Sequence, residues 1–324
     1  MKTQDEIIAA RQRDWHELEA IVSRGEAFHQ LDGPSISRAA TLYRSLCNDL
    51  AKSRARCTPD LVAYLDNLAG RAHSALYGAQ PFRAPPIVSL LFREFPATLR
   101  KNAVFLAIAS ALFLIPCAIG FALGLHLPNT TADILPRSML EGMADAYSKG
   151  FDAGRSEATD TSMAGYYVYN NVGIAFRCFA TGIFYGLGSI FFLLYNGLVI
   201  GAVAGYVGAA GFGGNIGTFM CGHAPFELTA IVISGAAGLR MGYALVVTNG
   251  RTRLGSLRES APEIARLVGG AAFMLLIAAL VEGFWSPSAV AAPVKWTVAS
   301  IFTLAVAAWL ALGGRAGALQ RRSA

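Results

Sequence analysis

Long apolar stretches constrain the fold of this chain more than any other feature. A helix that crosses the hydrocarbon core of a bilayer needs about 20 mostly apolar residues. Four stretches meet this requirement: Asn102 to Leu125, Pro225 to Val247, Ala265 to Phe284 and Val294 to Leu312. A fifth region, Val172 to Gly211, is long enough for two spans, with Tyr195-Asn196-Gly197 as the turn between them. The sequence therefore predicts an all-α polytopic membrane protein with about six transmembrane helices.

The charged residues also indicate lipid as the main solvent. They make up only 15% of the 324 residues, whereas a soluble domain carries roughly 25%. Residues 1 to 101 hold fourteen of the 27 Lys/Arg and eleven of the 21 Asp/Glu. We therefore expect a water-soluble N-terminal segment followed by a membrane domain.

Basic residues in the short loops predict how the spans are oriented. Lys and Arg accumulate on the cytoplasmic side of a membrane. Such residues precede the first predicted span, separate the fourth from the fifth, and follow the sixth: Arg93, Arg100, Lys101, Arg251, Arg253, Arg258, Arg266, Arg315, Arg321 and Arg322. The segment Leu127 to Asn170 instead has three basic and six acidic residues. We expect a multi-pass protein of the cytoplasmic (inner) membrane with both termini in the cytoplasm.

These patterns divide the chain into four parts. Residues 1–84 are a cytoplasmic helical domain, because apolar residues recur there at helical spacing, in a hairpin or a three-helix bundle. Residues 85–101 form an interfacial elbow helix. Residues 102–314 form the transmembrane domain, with an outer loop at 126–170, and residues 315–324 are a cytoplasmic tail. The glycine-rich segment Gly208 to Gly222 is interpreted as a flexible or re-entrant outer loop.

The sequence lacks the motifs that several functional classes require. The five cysteines have no C-x-x-C spacing, so we expect neither a disulfide framework nor a zinc site. Neither H-E-x-x-H nor G-x-S-x-G occurs, so an intramembrane hydrolase lacks its nucleophile or metal ligands. The excess basic residues lie on predicted cytoplasmic segments, which argues against nucleic-acid binding. We expect no enzyme activity, no cofactor and no metal.

Glycines recur at intervals of four residues within the predicted spans. They are Gly182, Gly186, Gly197, Gly201, Gly205, Gly238 and Gly242. Small residues at this spacing let helix backbones approach closely in lipid. We therefore expect the second, third and fourth spans to pack against one another. A sliding or gating surface is the alternative, and the stripes also permit a homo-oligomer.

Four ionisable residues fall in the outer third of the predicted spans. They are Arg177, His223, Glu227 and Glu282. A charge inside a bilayer is costly without a partner or water, so we expect Arg177 to pair with Glu227 or Glu282 in an outer polar cluster. A fixed clamp between spans and a proton, ion or ligand site are both consistent with this cluster. Arg240 lies too far along its helix to join it.

Several motifs occur in an order that resembles the stage II sporulation protein M family. They are Tyr169-Asn170-Asn171, Tyr195-Asn196-Gly197-Leu198, His223-Ala224-Pro225-Phe226-Glu227-Leu228 and Val281-Glu282-Gly283-Phe284. The resemblance covers most of residues 100 to 320. The family pattern His-Gly-x-x-Glu-Leu is present in His223, Glu227 and Leu228, with Ala224 in place of glycine.

This resemblance implies a function. In spore-formers the family member resembles a membrane anchor for two cell-wall-degrading proteins, which implies a non-enzymatic inner-membrane scaffold in envelope or peptidoglycan remodelling. Relatives with this architecture are often found beside a MoxR-type AAA ATPase, so the implied partners, besides membrane lipid, are envelope-remodelling proteins or such an ATPase system. The alternative is a transporter or channel component that uses the polar cluster. A water-filled cavity between the cluster and Arg240 would favour that alternative.

Overall fold

The computed structural model describes residues 4–23, 31–77, 86–150 and 157–315, and every regular element in these residues is helical. The chain divides into two units, Met1–Ala84 and Pro85–Ala324.

The first unit is a bundle of three helices. These are α1 (Gln4–Val22), α2 (Gly33–Ser53) and α3 (Pro59–Tyr77). Each helix carries an apolar stripe, and the three stripes meet in one core that contains Leu18, Leu46 and Leu65, all fully buried. Of the two arrangements that the sequence allows, the structure therefore has the three-helix bundle.

A polar contact joins the first two helices of this bundle at its edge. The indole Nε1 of Trp15 donates to the Asp49 carboxylate at 3.0 Å, and Arg11 Nε donates to the same oxygen at 2.8 Å. A buried indole N–H needs an acceptor, so Asp49 satisfies Trp15 while Arg11 balances the charge of Asp49. On the surface, a hydrogen bond from Arg71 lowers the pKa of Glu19 below its ordinary value.

The second unit contains the remaining helices. They are α4 (Ile87–Ser89), α5 (Phe95–Lys101), α6 (Ala103–His126), α7 (Pro128–Ile134), α8 (Arg137–Ser148), α9 (Glu157–Ala180), α10 (Leu187–Val207), α11 (Gly213–Met220), α12 (Ala224–Val246), α13 (Arg253–Leu280) and α14 (Ala292–Leu312). Short π-helical segments extend α4, α10 and α13 at Leu90–Glu94, Gly208–Phe212 and Val281–Trp285.

Five stretches of the described residues are long and apolar enough to cross a membrane. They are Ala103–His126, Leu187–Met220, Ala224–Val246, Arg253–Trp285 and Ala292–Leu312. This finding confirms the prediction of an all-α polytopic membrane fold. The stretches contain α6, α10, α12, α13 and α14.

Besides these five stretches, α9 is a sixth long helix that runs through the bundle. Gly197, Gly201 and Gly205 of α10 lie against Phe113, Cys117 and Phe121 of α6, in that order. The two helices are therefore parallel, and the chain must return along the bundle between them. Helix α9 makes this return beside α12 and α13. Its first half is too polar for it to be identified as a span from composition.

The turn predicted at Tyr195 to Gly197 is wrong. Helix α10 passes through these residues without a break, and the turn lies earlier, at Thr181 to Gly186. Tyr185 and Gly186 have φ values of 54° and 86° there. Inside lipid, the Asn196 amide donates to the carbonyl of Phe192 in its own helix at 2.7 Å. An Asn-Gly pair favours a turn where water can hydrate the backbone, and that condition is absent here.

The segment predicted as an outer loop, 126–170, is largely helical. Helices α7 and α8 and the first half of α9 occupy most of it. The glycine-rich segment 208–222 is likewise helical rather than a flexible loop, because Ile216 and Phe219 of α11 are buried. Gly211, with φ 90°, allows the sharp change of direction before α11.

The bundle has two chemically different ends. The basic end carries Lys101, Arg251, Arg253 and Arg315 and includes the turn at Thr181 to Gly186. The opposite end, which we call the cluster end, carries α8, α11 and the segment that joins α13 to α14.

The segment 87–101 packs along α13 and α14 at the basic end. Arg100 donates to the carbonyls of Leu310 and Gly313 at 2.8 and 2.6 Å, which satisfies acceptors at the C-terminus of α14. Phe95 is fully buried against Gly270 of α13. The helix then breaks at Asn102, which has φ −101° and ψ 26°, and the chain turns into α6.

All seven glycines singled out from the sequence lie at close helix contacts, but one set has another partner than expected. Gly182 abuts Gly238, and Gly186 abuts Gly242, which joins the turn before α10 to α12. The stripe of Gly197, Gly201 and Gly205 faces α6, the first predicted span, rather than the second or fourth. Periodicity identifies the contact face of a helix, but it does not identify the helix that covers it.

The α6–α10 contact gives a first prediction. We expect Gly201→Leu to destabilise the membrane unit by about 1–3 kcal/mol, because even a Cβ at this position would overlap the carbonyl of Cys117. Gly269→Leu is the matched control, since a Cβ there meets open space. The melting temperature of each variant is measured in detergent from the loss of the helical circular dichroism signal on heating. Equal melting temperatures for the two variants would contradict the packing.

Candidate functional site

Three of the four ionisable residues predicted for the polar cluster meet at the cluster end. They are His223, Glu227 and Glu282, whose ligand-type atoms all lie within 4.8 Å of one another. His223 Nε2 is 3.9 Å from Glu227 Oε2. His223 and Glu282 are buried, and the Glu227 side chain is 13% exposed.

Local sequence places each of the three side chains. His223 is the N-cap residue of α12, and Pro225 lies in the first turn of that helix, where proline is tolerated. Glu227 follows one turn later, where the positive end of the helix dipole favours a carboxylate. Glu282 lies in the π-helical segment after α13. Such segments insert an extra residue into a helix and are frequent at functional sites.

Two further side chains orient the cluster. His223 Nδ1 is 3.0 Å from the hydroxyl of Ser286. The amide of Asn171, on α9, donates to Glu282 Oε2 at 3.1 Å, and Asn170 donates to the Asn171 carbonyl oxygen at 3.0 Å. The polar cluster thus joins α9, α12 and the end of α13. Asn171 and Ser286 were missed as site residues, although Asn171 is part of a motif that carries the family resemblance.

The predicted pairing of Arg177 with Glu227 or Glu282 is wrong. Arg177 is exposed, and within the described part of the chain it pairs with neither carboxylate. The guanidinium lies back along its own helix near Gly173. Helix α9 turns Asn171 and Cys178 inward, and Arg177, about 100° around the helix from Cys178, consequently faces outward. Its neighbour Cys178 abuts Gly238, eleven residues beyond Glu227 in α12, so Arg177 lies nearer the basic end than predicted and is also rotated away from the cluster.

Among the described residues, Lys295 is a buried cation at the cluster end. It is only 3% exposed, and its Nζ donates to the carbonyls of Ser286 and Ser288 at 2.8 and 2.7 Å. These bonds hold the segment between α13 and α14 beside the cluster. Sequence reasoning passed over Lys295 because it lies at the edge of an apolar stretch. A lone lysine near the start of an otherwise uncharged span was the available signal.

Arg240 belongs to a separate polar group at the basic end. Its guanidinium is 3.7 Å from Glu263 and lies over the ring of Phe105, and Lys101 also pairs with Glu263. Between this group and the polar cluster, α12 packs into an apolar core. That core contains Phe226, Ala230, Ile233, Ala237, Met241, Leu267, Ala271, Met274 and Ala278, each less than 9% exposed.

A cleft of about 420 Å³ opens between α12 and α14 next to the cluster end. It is lined by Cys221, Ala224, Pro225, Leu228, Thr229, Trp296, Ala299, Ser300 and Thr303. The hydroxyls of Ser300 and Thr303 donate to carbonyls of their own helix, as such groups do inside lipid. Because these hydroxyls are bonded within their own helix, the surface that the cleft presents is mostly apolar.

Fold and site together define a multi-pass helical membrane protein with a buried histidine–carboxylate cluster at one end. Residues 104–287 match the family model described as Stage II sporulation protein M. The match covers more than half of the chain, which therefore belongs to this family. His223, Glu227, Glu282, Asn171 and Ser286 all lie inside the matched region.

A second model, described as a domain of unknown function (DUF8413), matches residues 5–78, which contain the three-helix bundle. Comparison with curated proteins and with solved structures gave no match.

The lysine contacts give a second prediction. We expect Lys295→Met to lower the free energy of unfolding by about 1–3 kcal/mol, because the carbonyls of Ser286 and Ser288 lose a donor inside the protein. Arg251→Met is the control, since its ion pair with Glu259 is exposed, and we expect a change within about 0.5 kcal/mol. Unfolding in detergent–denaturant mixtures measures both. If Arg251→Met lowers the free energy of unfolding as much as Lys295→Met does, the buried hydrogen bonds of Lys295 are not the cause of the destabilisation.

Proposed function

We propose that this chain is a non-catalytic scaffold of the cytoplasmic membrane that recruits or regulates partners in envelope or peptidoglycan remodelling. The family is not a known enzyme class. The serine that contacts the cluster histidine, Ser286, is only 1% exposed, so its hydroxyl is closed to a substrate.

One observation carries the choice of a scaffold over a transporter. A solute or proton path from the cluster to the basic end would have to pass the level of Ala230 to Ala237 in α12, and this stretch is buried in apolar packing. A protein interior is packed as densely as an organic crystal. The described arrangement therefore supports a closed bundle with polar groups at its two ends.

The chain offers surfaces on both sides for partners. In our proposal the basic end and both termini are cytoplasmic, which the Lys/Arg distribution supports. The three-helix bundle would then meet a cytoplasmic partner such as a MoxR-type AAA ATPase system. Helices α8 and α11 at the cluster end would meet envelope-remodelling proteins outside.

The orientation has a direct test, which is our third prediction. In a chain whose remaining cysteines are alanine, we expect Cys47 of α2, which is exposed, to react with a membrane-impermeant maleimide only in inside-out vesicles. Glu141→Cys, an exposed position of α8, should react only in right-side-out vesicles. The reverse pattern would invert the proposed topology.

Partner recovery tests the scaffold itself and is our fourth prediction. We expect the wild type and Glu227→Gln, purified in mild detergent after crosslinking in cells, to recover the same peptidoglycan-remodelling or ATPase proteins. A variant that lacks residues 4–77 should lose the cytoplasmic partners and keep the external ones. The reason is that a scaffold uses exposed surfaces, whereas the Glu227 side chain is only 13% exposed.

Transport is the second candidate, and the cleft beside the polar cluster is the observation that favours it. Two results together would favour transport over the scaffold. Neither the wild type nor Glu227→Gln would recover a partner, and purified wild-type protein in liposomes would carry a proton or cation flux that Glu227→Gln abolishes. Glu263→Gln, at the basic end, is the matched control for that flux.

A further inference from the structure

We propose that His223, Glu227 and Glu282 form a binding site for one zinc ion. The sequence predicted these three residues, together with Arg177, for one polar cluster, but it predicted no metal site there. The fold adds Glu282 from the π-helical segment after α13, and this third ligand gives one imidazole nitrogen and two carboxylate oxygens, which are ligand types that zinc binds.

The spacing of the three ligand atoms fits a small divalent ion. Zinc bonds to nitrogen and oxygen of about 2.0–2.2 Å place the ligand atoms of a tetrahedral site roughly 3.4 Å apart. His223 Nε2 and Glu227 Oε2 are 3.9 Å apart, which is too long for a hydrogen bond. All three ligand atoms lie within 4.8 Å of one another. Shifts of roughly an ångström therefore bring them onto one ion, and a fourth position is left for water.

The surrounding hydrogen bonds prepare the ligands for this role. When Nε2 of His223 binds a metal, Nδ1 carries the proton, and the Ser286 hydroxyl at 3.0 Å is placed to accept it. Asn171 donates to one oxygen of Glu282 and so fixes the plane of that carboxylate. Outer partners that orient a histidine and a carboxylate in this way are typical of metal sites.

The charge of the site also favours a cation. Two carboxylates meet at the cluster end, and Lys295 is the ammonium group that the described structure buries beside them. Burying a carboxylate inside a bundle is costly unless a positive group compensates it. A divalent ion held between the two carboxylates would offset their mutual repulsion and would link α12 to the segment after α13 at the position where α9 joins them.

This site adds a property to the proposed scaffold and does not depend on it. Zinc would hold the cluster end in one arrangement, and its release would free the segment between α13 and α14 from α12. The site is therefore a structural or regulatory metal site, in which the chain's own residues bind the ion.

Zinc titration of the full-length protein is the test, and it is our fifth prediction. The protein is purified in detergent, stripped with a chelator, and titrated with zinc in competition with a chromophoric chelator. We expect about one zinc ion per chain. Glu282→Gln should weaken binding by about 100-fold, and Asn171→Ala, which removes only the orienting bond, by about 10-fold. Glu263→Gln, a carboxylate at the basic end, should bind like the wild type.

Two checks keep the test decisive if a variant folds poorly. Size exclusion and helical circular dichroism report folding, and cobalt in place of zinc gives the wild type an intense visible absorption if the site is tetrahedral. Wild-type protein that binds no stoichiometric zinc overturns the proposal. So does equal affinity in Asn171→Ala, Glu282→Gln and Glu263→Gln. Partner recovery by the scaffold test is unaffected by either result, so the two proposals fail separately.

Discussion

Close backbone contact at glycine is the constraint on which the membrane unit depends. Lipid tails are as apolar as leucine, so helices in a bilayer associate through packing rather than through exclusion of water. Gly238 and Gly242 allow α12 to lie directly on the turn before α10, where Gly182 and Gly186 leave equal room. These contacts fix the depth and rotation of α12. They thereby determine where His223 and Glu227 emerge at the other end of the same helix.

The polar cluster is held by hydrogen bonds and charge pairing rather than by close backbone contact. Each buried group needs a partner, and the chain supplies partners from four segments: Asn171 from α9, His223 and Glu227 from α12, Glu282 and Ser286 from the end of α13, and Lys295 from α14. A network of this kind stabilises one arrangement only when its members are satisfied together. The π-helical segment at Val281–Trp285 shifts the register of the helix around Glu282.

Hydropathy predicted the apolar spans well, because the length of an apolar stretch is a direct consequence of bilayer thickness. It failed for α9, whose first half combines tyrosines and asparagines with acidic residues, and it divided α9 from α10 at the wrong place. The polar cluster was predicted only in part, because its members depend on how the helices are rotated as well as on where residues lie along the sequence. Sequence position gives the depth of Glu282, whereas the outward rotation of Arg177 and the burial of Lys295 follow from contacts between helices that are distant in sequence.

The two ends of the bundle differ in how their charges are held, and this difference bears on function. At the basic end, Lys101, Arg240 and Glu263 form an ion-pair group that is partly exposed, and exposed pairs contribute little and are screened by salt. At the cluster end the charges are buried, so a change in any one of them alters the balance of the whole network. The pair of α6 and α10 lies outside that network, since glycine contacts rather than polar groups join it. A chemical change at the polar cluster would therefore act on the cluster ends of α9, α12, α13 and α14, while the glycine contacts that join α6 to α10 and α12 to the turn before α10 keep their packing.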